Sequence, residues 1–361
     1  MRILAVTSLR DEGPFLLEWL AWGRMIGISD ILVYSNDCRD GSDAMLDVLA
    51  EAGVVCHERN PASLDPALRK AEGKGAGKSL QWQAFEAAWR HPLRKSADWM
   101  LCADLDEFPL IHCGEGRIPD LIAALPPDTD AVALPWRLFG HNLQASPPAG
   151  NVTAAFTRSA PAEMTHPIAA SFFKTLFRPK AFARIGVHRP KQRPDSLPHW
   201  RGGGGEALAA WFAKSDQRLS LLGASAGAMS PAGRELVELH HYSLRSAQSF
   251  VVKSDRGLPN RSDKALDIGY WLERNYNSIE NTAALRHQEA LNAELARLRA
   301  IPQLAALEAE AKEWHQQQFA RLMQQEPYLR LYGQCLHCAS ATALPTGLER
   351  MLYTAWGNLQ R

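Results

Sequence analysis

Short apolar runs alternate with helix-like segments over the first hundred residues, and this alternation limits the possible folds more than any other feature of the chain. The runs cover residues 3–7, 31–34, 54–57 and 99–103, and each has the length of a strand. After the first run, Pro14 opens a segment in which large apolar residues recur at helical spacing. Strands that alternate with helices predict an α/β fold, with a mainly parallel sheet flanked by helices.

Two serines mark the expected starts of helices in this region. Ser42 precedes a helical segment at 43–51 that stops before Gly53, and Ser79 precedes a segment that runs to residue 89. A serine hydroxyl can accept a hydrogen bond from an unpaired N–H of the first helical turn. We therefore expect both serines to be N-caps.

Composition and charge exclude several classes of protein. Among 361 residues, 40 Lys and Arg stand against 39 Asp and Glu, so the net charge of +1 creates no global field that would favour nucleic acid. No window approaches about eighteen uncharged apolar residues, and the amino terminus has no signal-peptide pattern. We expect a cytoplasmic protein with no transmembrane segment, and peripheral membrane contact stays open. Cys335 and Cys338 form the only Cys-x-x-Cys pair, and one pair does not predict a zinc site.

The composition shifts to Ala, Leu, Glu, Gln and Arg after about residue 280. Leucines recur at helical spacing from Leu285 to Leu298, and the pattern breaks at Pro302 and resumes to about Met323. This pattern predicts a helical appendage packed against the α/β domain, in preference to a dimerising coiled coil. We expect residues 1–280 to form the α/β domain and residues 281–361 to form the helical C-terminal region.

The fourth apolar run ends in two carboxylates, Asp104 and Asp106. If the strand continues through them, both side chains point the same way, because alternate residues of a strand share a face. Ligands of parallel sheets bind at the carboxyl ends of the strands, and carboxylates there suit a hard divalent cation that carries phosphates. An Asp-x-Asp pair is common by chance, so its meaning depends on the rest of the chain.

A polar turn follows the second apolar run at residues 34–43. Its sequence is Tyr-Ser-Asn-Asp-Cys-Arg-Asp-Gly-Ser-Asp. Asn36, Asp37 and Asp40 offer short side chains that can accept hydrogen bonds from a base or a ribose, and Gly41 allows close approach of the backbone. A plain strand-to-helix turn uses the same residue types, so this alternative stays open.

Several further motifs stand in a fixed order along the chain. The set comprises Arg10-Asp11-Glu12, the turn at 34–41, Gln81 with Ala84, Asp104-Leu-Asp-Glu-Phe108, Trp136-Arg-Leu-Phe-Gly140, Gly186-Val-His-Arg-Pro190, His240-His-Tyr-Ser and Lys253-Ser-Asp-Arg-Gly257. Together they resemble the bacterial branch of the family 2-type nucleotide-sugar glycosyltransferases, over about residues 1–275. The resemblance implies a GT-A, Rossmann-like domain, with a nucleotide-binding half at 1–110 and an acceptor half at 111–280.

The resemblance also implies a function and a set of site residues. The reaction would be metal-dependent transfer of a sugar from a nucleotide-diphosphate donor, such as a UDP-sugar, to a glycan, a lipid-linked acceptor or another hydroxyl. It would proceed with inversion, in bacterial surface or exopolysaccharide synthesis. Mn²⁺ or Mg²⁺ would be held by Asp104, Asp106 and His241. The donor would be bound by a wider set, namely Glu12, Asn36, Asp37, Asp40, Gln81, Asp104, Arg245, Lys253 and Arg256.

An inverting transfer needs a base that takes the proton of the acceptor hydroxyl. Asp195 and His188, which follow the acidic motif in the chain, are the two candidates. Trp136, Trp200 and Trp211 could stack on acceptor sugar rings, although core packing is the commoner use of Trp.

Two other functions remain as alternatives. Residues 73–79, Gly-Lys-Gly-Ala-Gly-Lys-Ser, look like the phosphate loop of an ATPase, but that motif requires Gly at the position of Glu72. A non-catalytic protein on the same fold would bind a sugar or a nucleotide without turnover.

Overall fold

A computed structural model of the chain describes residues 1–60, 79–225, 233–257 and 266–359. The strands of these residues are, in chain order, β1 (Ile3–Leu9), β2 (Asp30–Ser35), β3 (Cys56–Arg59), β4 (Trp99–Cys102), β5 (Glu107–Ile111), β6 (Ala131–Leu138), β7 (Arg158–Ser159), β8 (Phe173–Phe177), β9 (Phe182–Arg184), β10 (Lys191–Gln192), β11 (Trp200–Arg201), β12 (Val237–His241) and β13 (Ile279–Glu280).

The helices of the same residues are α1 (Gly13–Met25), α2 (Ser42–Glu51), α3 (Leu80–Arg90), α4 (Pro92–Ser96), α5 (Ile118–Ala123), α6 (Val152–Ala155), α7 (Ala210–Ala213), α8 (Ala247–Arg256), α9 (Ile268–Leu272), α10 (Gln288–Arg299), α11 (Leu304–Leu322), α12 (Glu326–His337) and α13 (Thr346–Leu359). Short 3₁₀ turns cover Ile168–Ser171, Pro179–Ala181 and Ala283–His287.

One large sheet organises the fold. It has nine strands in the order β3-β2-β1-β4-β8-β6-β12-β5, and β11 pairs with β6 beside this path. β1 is parallel to β2 and β4, β2 is parallel to β3, and β6 is parallel to β11 and β12. β8 runs antiparallel to β4 and β6, and β5 runs antiparallel to β12. The predicted α/β fold with a mainly parallel sheet is confirmed.

The central strands are covered on both faces. Every residue of β1 and β4 is buried, as expected for parallel strands between layers of helices. Helix α1 lies against β5, where the indole N–H groups of Trp19 and Trp22 donate to Glu107 O at 3.1 Å and Pro109 O at 2.9 Å. These bonds satisfy two buried donors and fix α1 beside the strand that follows the acidic motif.

Two of the predicted boundaries differ from the structure. Ser79 is an N-cap as predicted, because its hydroxyl accepts from the N–H of Trp82 at 3.3 Å. The prediction for Ser42 is wrong, since the N-cap is Gly41 at φ 80° and the Ser42 hydroxyl instead lies 2.5 Å from Asp40 Oδ1. Strand β3 begins at Cys56, later than the apolar run, because the N–H of Val54 donates to Leu49 O at the end of α2.

The C-terminal helices pack against the α/β part of the chain. Leu291, Leu295 and Leu298 of α10 are buried in the same hydrophobic core as the sheet and α1, and Arg24 forms an ion pair with Glu294 at 2.6 Å. The predicted helical appendage is therefore confirmed, while the boundary near residue 280 stays a prediction. None of the helices in the described ranges has the length and apolar character needed to cross a membrane.

Candidate functional site

The two acids of the Asp-x-Asp motif lie in a turn between strands. β4 ends at Cys102, and the N–H of Glu107 donates to Asp104 O at 3.0 Å across the turn that leads into β5. The expectation that Asp104 and Asp106 share one face of a strand is therefore wrong. Both still follow the carboxyl end of β4, next to parallel β1, at the edge where such sheets bind ligands.

Donors from two other elements hold Asp104. Gln81 Nε2 on α3 donates to Oδ1 at 2.7 Å, and Lys174 Nζ on β8 lies 3.0 Å from Oδ2. The same ammonium lies 3.3 Å from Glu107 Oε2, which also accepts the N–H of Asp104 at 2.8 Å. Burial raises the pKa of Glu107, and the Lys174 ammonium counteracts part of that rise. Burial opposes the charge of Lys174, but Asp104 and Glu107 outweigh it and keep the Lys174 pKa above its ordinary value.

Asp106 is buried and faces two basic side chains. Lys253 Nζ on α8 lies 2.6 Å from Oδ2, and His241 Nε2 at the end of β12 lies 3.6 Å from Oδ1. Burial would raise the pKa of Asp106, but the Lys253 ammonium is the largest opposing contribution and holds that pKa well below its ordinary value. Burial lowers the pKa of His241 in spite of Asp106. The pair is therefore a carboxylate and a neutral imidazole at pH 7.

Asp106 and His241 are placed as two ligands of one divalent cation could be. A separation of 3.6 Å between Asp106 Oδ1 and His241 Nε2 is too long for a hydrogen bond. It suits two ligands of one ion, whose ligand distances are about 2.0–2.2 Å. His241 Nδ1 is buried and has no hydrogen-bond partner among the described residues, so no hydrogen bond at Nδ1 fixes the orientation of the ring. Carboxylates suit Mg²⁺ and Mn²⁺, and an imidazole nitrogen favours the transition metal of the two.

Glu12 lies between two arginines. Its Oε2 accepts from Arg245 Nη1 at 2.8 Å, and its Oε1 pairs with Arg256 Nη2. Burial opposes the charge of Glu12, but Arg256 and Arg245 outweigh it and lower the Glu12 pKa. Arg245 also donates to Leu105 O at 3.1 Å, and its backbone has a left-handed φ of 57°, which is uncommon outside Gly. The Nε atoms of both arginines are buried without a hydrogen-bond partner in the described part of the chain.

Asn36 and Asp37 lie in the predicted nucleotide-binding turn, in different surroundings. Asn36 is buried, and its amide donates to Ser8 Oγ and Leu9 O, each at 2.8 Å. Its carbonyl oxygen accepts from Asn60 Nδ2 at 2.5 Å. Asp37 is exposed and has a left-handed φ of 46°. Of these two, only Asp37 presents its side chain to solvent, and the nucleotide contacts of both stay predictions.

Asp40 is enclosed by protein groups. Its Oδ1 accepts from the N–H of Ser42 at 2.9 Å, and its Oδ2 accepts from the N–H of Gly13 at 2.8 Å. His315 Nε2, on α11, lies 3.0 Å from Oδ2. Burial opposes the charge of Asp40, but His315 and Ser42 outweigh it and lower the Asp40 pKa. Asp40 thus joins α1, α2 and the C-terminal helices, and its direct contact with a nucleotide stays a prediction.

The structure brings His188 close to His241, because both rings pack on Trp136. The Trp136 ring packs on both His188 and His241, at centroid distances of 5.4 and 4.2 Å. His188 Nδ1 lies 3.0 Å from Phe173 O, and since a carbonyl only accepts, Nδ1 carries the proton and Nε2 the lone pair. Burial and the Lys174 ammonium lower the pKa of His188, so the ring is neutral at pH 7.

The structure does not join Asp195 to His188 or His241 by any hydrogen bond or ion pair. Asp195 is exposed on a turn after β10 and forms no hydrogen bond or ion pair with any described residue. Trp200 is a core residue beneath Arg189, and Trp211 is 46% exposed beside Arg218. Of the three tryptophans considered for sugar stacking, Trp136 alone packs on His188 and His241.

Sequence reasoning missed three residues of the site. Lys174 pairs with the Asp104 side chain, and Glu107 accepts a hydrogen bond from the Asp104 N–H. Asp11 binds Arg39 through both carboxylate oxygens at 2.6–2.9 Å. Lys174 could have been found from the sequence, because it is the single charged residue inside the apolar run 172–177. A charge in such a run is rarely tolerated without a partner.

Among the described residues, one group of three metal-type side chains has its ligand atoms within 4.8 Å of one another, namely Cys56 and Glu58 on the edge strand β3 and His91 between α3 and α4. Cys56 Sγ and Glu58 Oε1 each lie 3.8 Å from His91 Nε2. His91 Nδ1 accepts from the N–H of Leu93 at 3.2 Å, so Nε2 must carry the proton of the neutral ring. A protonated nitrogen cannot bind a metal, and the ring as placed does not offer a ligand.

Comparisons with known proteins leave the function to be argued from the site. No family model matches the sequence, and no curated protein matches it. Among solved structures, S. aureus TarS 1-349 is similar with a TM-score of 0.34 and 11% identity, over 94% of this chain and 83% of that chain. A longer S. aureus TarS structure matches with a TM-score of 0.29 and 10% identity, over 50% of this chain and 29% of that chain.

A third similar structure is glucosyl-3-phosphoglycerate synthase from Mycobacterium tuberculosis in complex with Mn²⁺, uridine diphosphate and glucosyl-3-phosphoglycerate. Its TM-score is 0.27 at 14% identity, over 51% of this chain and 60% of that chain. The chain therefore spans less than two thirds of this synthase and of the longer TarS structure.

Proposed function

We propose that the chain is a metal-dependent glycosyltransferase that moves a sugar from a UDP-sugar to a hydroxyl of a glycan or lipid-linked acceptor, with inversion. The observation that carries the proposal is the surroundings of Asp106. This buried carboxylate faces His241 and Lys253 at the carboxyl edge of the sheet. Bacterial surface or exopolysaccharide synthesis, the setting implied by the motif resemblance, is part of the proposal.

Asp104, Asp106 and His241 would hold Mn²⁺ or Mg²⁺. When bound, such a cation would stabilise the negative charge that builds on the departing diphosphate. The separation of 3.6 Å between Asp106 Oδ1 and His241 Nε2 supports the assignment of these two residues, because two ligands of one ion can be spaced in this way. The assignment of Asp104 rests on the motif resemblance.

Arg245, Arg256 and Lys253 would bind the diphosphate itself. The Nε–H groups of Arg245 and Arg256 are buried and have no acceptor among the described residues. A buried donor without an acceptor costs about 1–3 kcal/mol, and a phosphate oxygen would remove that cost. Fixed cations in a water-poor site are also the usual way in which proteins stabilise charge that develops in a transition state.

His188 would act as the base, and the buried ring of Trp136, which is 7% exposed, would hold the imidazole in place. Nε2 of His188 carries the lone pair, because Nδ1 donates to Phe173 O. The ring is neutral at pH 7, which is the form that can take a proton from a hydroxyl. Asp195, the other candidate, would have to act from an exposed turn.

Calorimetric titration with UDP, with and without Mn²⁺, tests the metal claim. Wild type should bind UDP more tightly with Mn²⁺, and Asp106→Ala should lose that gain. Asp128→Ala is a matched control, because Asp128 is 55% exposed and its ion pairs within the described ranges are with His199 and Arg201 at the surface. Metal-independent affinity in wild type, or an unchanged gain in Asp106→Ala, would remove the metal from the proposal.

The rival ATPase function is tested separately, since residues 73–78 of its phosphate loop lie outside the described residues. ATP hydrolysis by wild type that is lost in Lys78→Ala would favour the ATPase. Sugar-nucleotide binding without turnover would favour the non-catalytic alternative.

A further inference from the structure

Lys174 is a charged residue in the centre of the sheet. Its side chain is fully buried on β8, whose five residues are all buried and whose neighbours are β4 and β6. Taking an ammonium out of water costs several kcal/mol unless partners compensate, and an apolar side chain of similar length would avoid that cost. The residue therefore needs an explanation beyond packing.

Two carboxylates compensate the Lys174 charge, and one of them is Asp104. Nζ lies 3.0 Å from Asp104 Oδ2 and 3.3 Å from Glu107 Oε2. Glu107 is completely enclosed, whereas the Asp104 side chain is 34% exposed. The ammonium therefore links an enclosed acid to an acid that solvent can reach.

The second oxygen of Asp104 is held from the opposite side. Gln81 Nε2 on α3 donates to Oδ1 at 2.7 Å, while Lys174 on β8 holds Oδ2. Two donors on two elements fix the plane of the carboxylate. Each oxygen has a further lone pair, so a carboxylate held in this way can still bind a cation.

We propose that Lys174 is a positioning residue, whose ammonium orients Asp104 toward the divalent cation of the site. The inference rests on the proposed function, since it gives Asp104 the role of a metal ligand. Partners that orient metal ligands typically contribute 10- to 100-fold to metal affinity. The competing explanation is that Lys174 only neutralises the enclosed Glu107 and has no effect on metal binding.

A double variant separates the two explanations. Lys174→Met with Glu107→Gln removes the ammonium together with the enclosed charge, so the core is not left with an unpaired ion. The reference is Glu107→Gln alone, in which any effect of Glu107 itself is already present. The measurements are the affinity for Mn²⁺ in the presence of UDP, the affinity for UDP in EDTA, and the melting temperature.

We expect the double variant to bind Mn²⁺ about 10- to 100-fold more weakly than Glu107→Gln, with equal UDP affinity in EDTA and a similar melting temperature. Equal Mn²⁺ affinity in the two proteins would overturn the proposal. If the double variant does not fold, Lys174→Gln is compared with wild type in the same titration. Weaker Mn²⁺ binding at unchanged metal-free UDP affinity supports the proposal, and wild-type Mn²⁺ affinity overturns it.

The wild-type titration separates this inference from the proposed function. If wild type binds UDP without any contribution from Mn²⁺, the proposed metal-dependent function fails, whatever the variants do. If wild type needs Mn²⁺ and the double variant matches its reference, only the role of Lys174 fails.

Discussion

The ammonium of Lys253 lies 2.6 Å from Asp106 Oδ2, and its other acceptor is Ser243 O at 2.8 Å. The Asp106 side chain is 8% exposed and that of Lys253 is 10% exposed, so the pair is largely removed from water. A divalent cation at Asp106 must therefore share this carboxylate with Lys253 or displace it. In this structure the Asp106 carboxylate is paired with Lys253.

The first prediction is that Lys253 and Mn²⁺ compete for Asp106. Lys253→Met leaves the buried Asp106 without its cation, and breaking a buried pair costs about 3–5 kcal/mol of unfolding free energy. We expect added Mn²⁺ to raise the melting temperature of Lys253→Met more than that of wild type. Lys312→Met is the control, because Lys312 is 49% exposed and its buried partner Glu308 keeps a second ion pair with Arg299. An equal Mn²⁺ effect in wild type and Lys253→Met would contradict the competition.

The second prediction concerns the stability contributed by Glu12. Glu12→Gln leaves Arg245 and Arg256 buried without a counter-ion, so unfolding free energy should fall by about 3–5 kcal/mol in urea titrations. The matched control is Glu326→Gln, which breaks an exposed Glu–Arg pair on α12 in which the side chains are 78% and 67% exposed. That change should cost less than about 1 kcal/mol. Similar losses in both variants would show that burial of the Glu12 cluster has been misjudged.

The third prediction is a pH dependence of stability at Glu238. This carboxylate is 3% exposed and faces Arg137 at 2.9 Å, His240 at 2.9 Å, Arg234 at 3.7 Å and His112 at 3.9 Å. Burial would raise its pKa, but His240, Arg137 and Arg234 outweigh burial and hold it below the ordinary 4.5. The contribution of ionised Glu238 to the free energy of unfolding is therefore complete above the ordinary pKa of 4.5. It is lost as the pH falls from there through the lower pKa of the folded state.

Urea unfolding of wild type and Glu238→Gln from pH 7 to pH 3 measures this contribution. The difference in unfolding free energy should be constant above about pH 5 and should shrink at lower pH. A difference that stays constant down to pH 3, or that grows, would contradict the assigned direction of the pKa shift.

The fourth prediction distinguishes the two candidate bases. His188→Asn should lower kcat about 10²- to 10⁴-fold at unchanged UDP affinity, because it removes a proton acceptor without touching the donor residues. Asp195→Asn should leave kcat within about threefold of wild type, because the residue is exposed and forms no hydrogen bond or ion pair with any described residue. Loss of turnover in Asp195→Asn with retention in His188→Asn would reverse the assignment.

Much of the fold could be predicted because it depends on local patterns. The apolar runs predicted β1, β2 and β4, and the leucine pattern predicted α10 and α11. The turn at 103–106 could not be predicted in this way, since the length of an apolar run does not tell where the backbone leaves the sheet. Ser42 was misassigned for a related reason, because Asp40 offered a closer partner than the helix N-terminus.

Less of the site could be predicted, because its contacts join distant parts of the chain. The pairs Arg245–Glu12 and His315–Asp40 connect residues 233 and 275 positions apart. Sequence alone gave Asp40 and Asn36 as free acceptors, whereas in the structure both are bonded to protein. Lys174 was visible as a charge in an apolar run, but its partner Asp104 depends on the pairing of β8 with β4.

The most direct test of the account is turnover of sugar nucleotides by the purified protein. A panel of UDP-sugars is incubated with wild type, with and without Mn²⁺, and the release of UDP is measured against Asp106→Ala. The account predicts UDP release from at least one UDP-sugar, dependent on Mn²⁺ and lost in Asp106→Ala. UDP-sugar binding with no release of UDP from any member of the panel, with or without acceptor glycans, would contradict it.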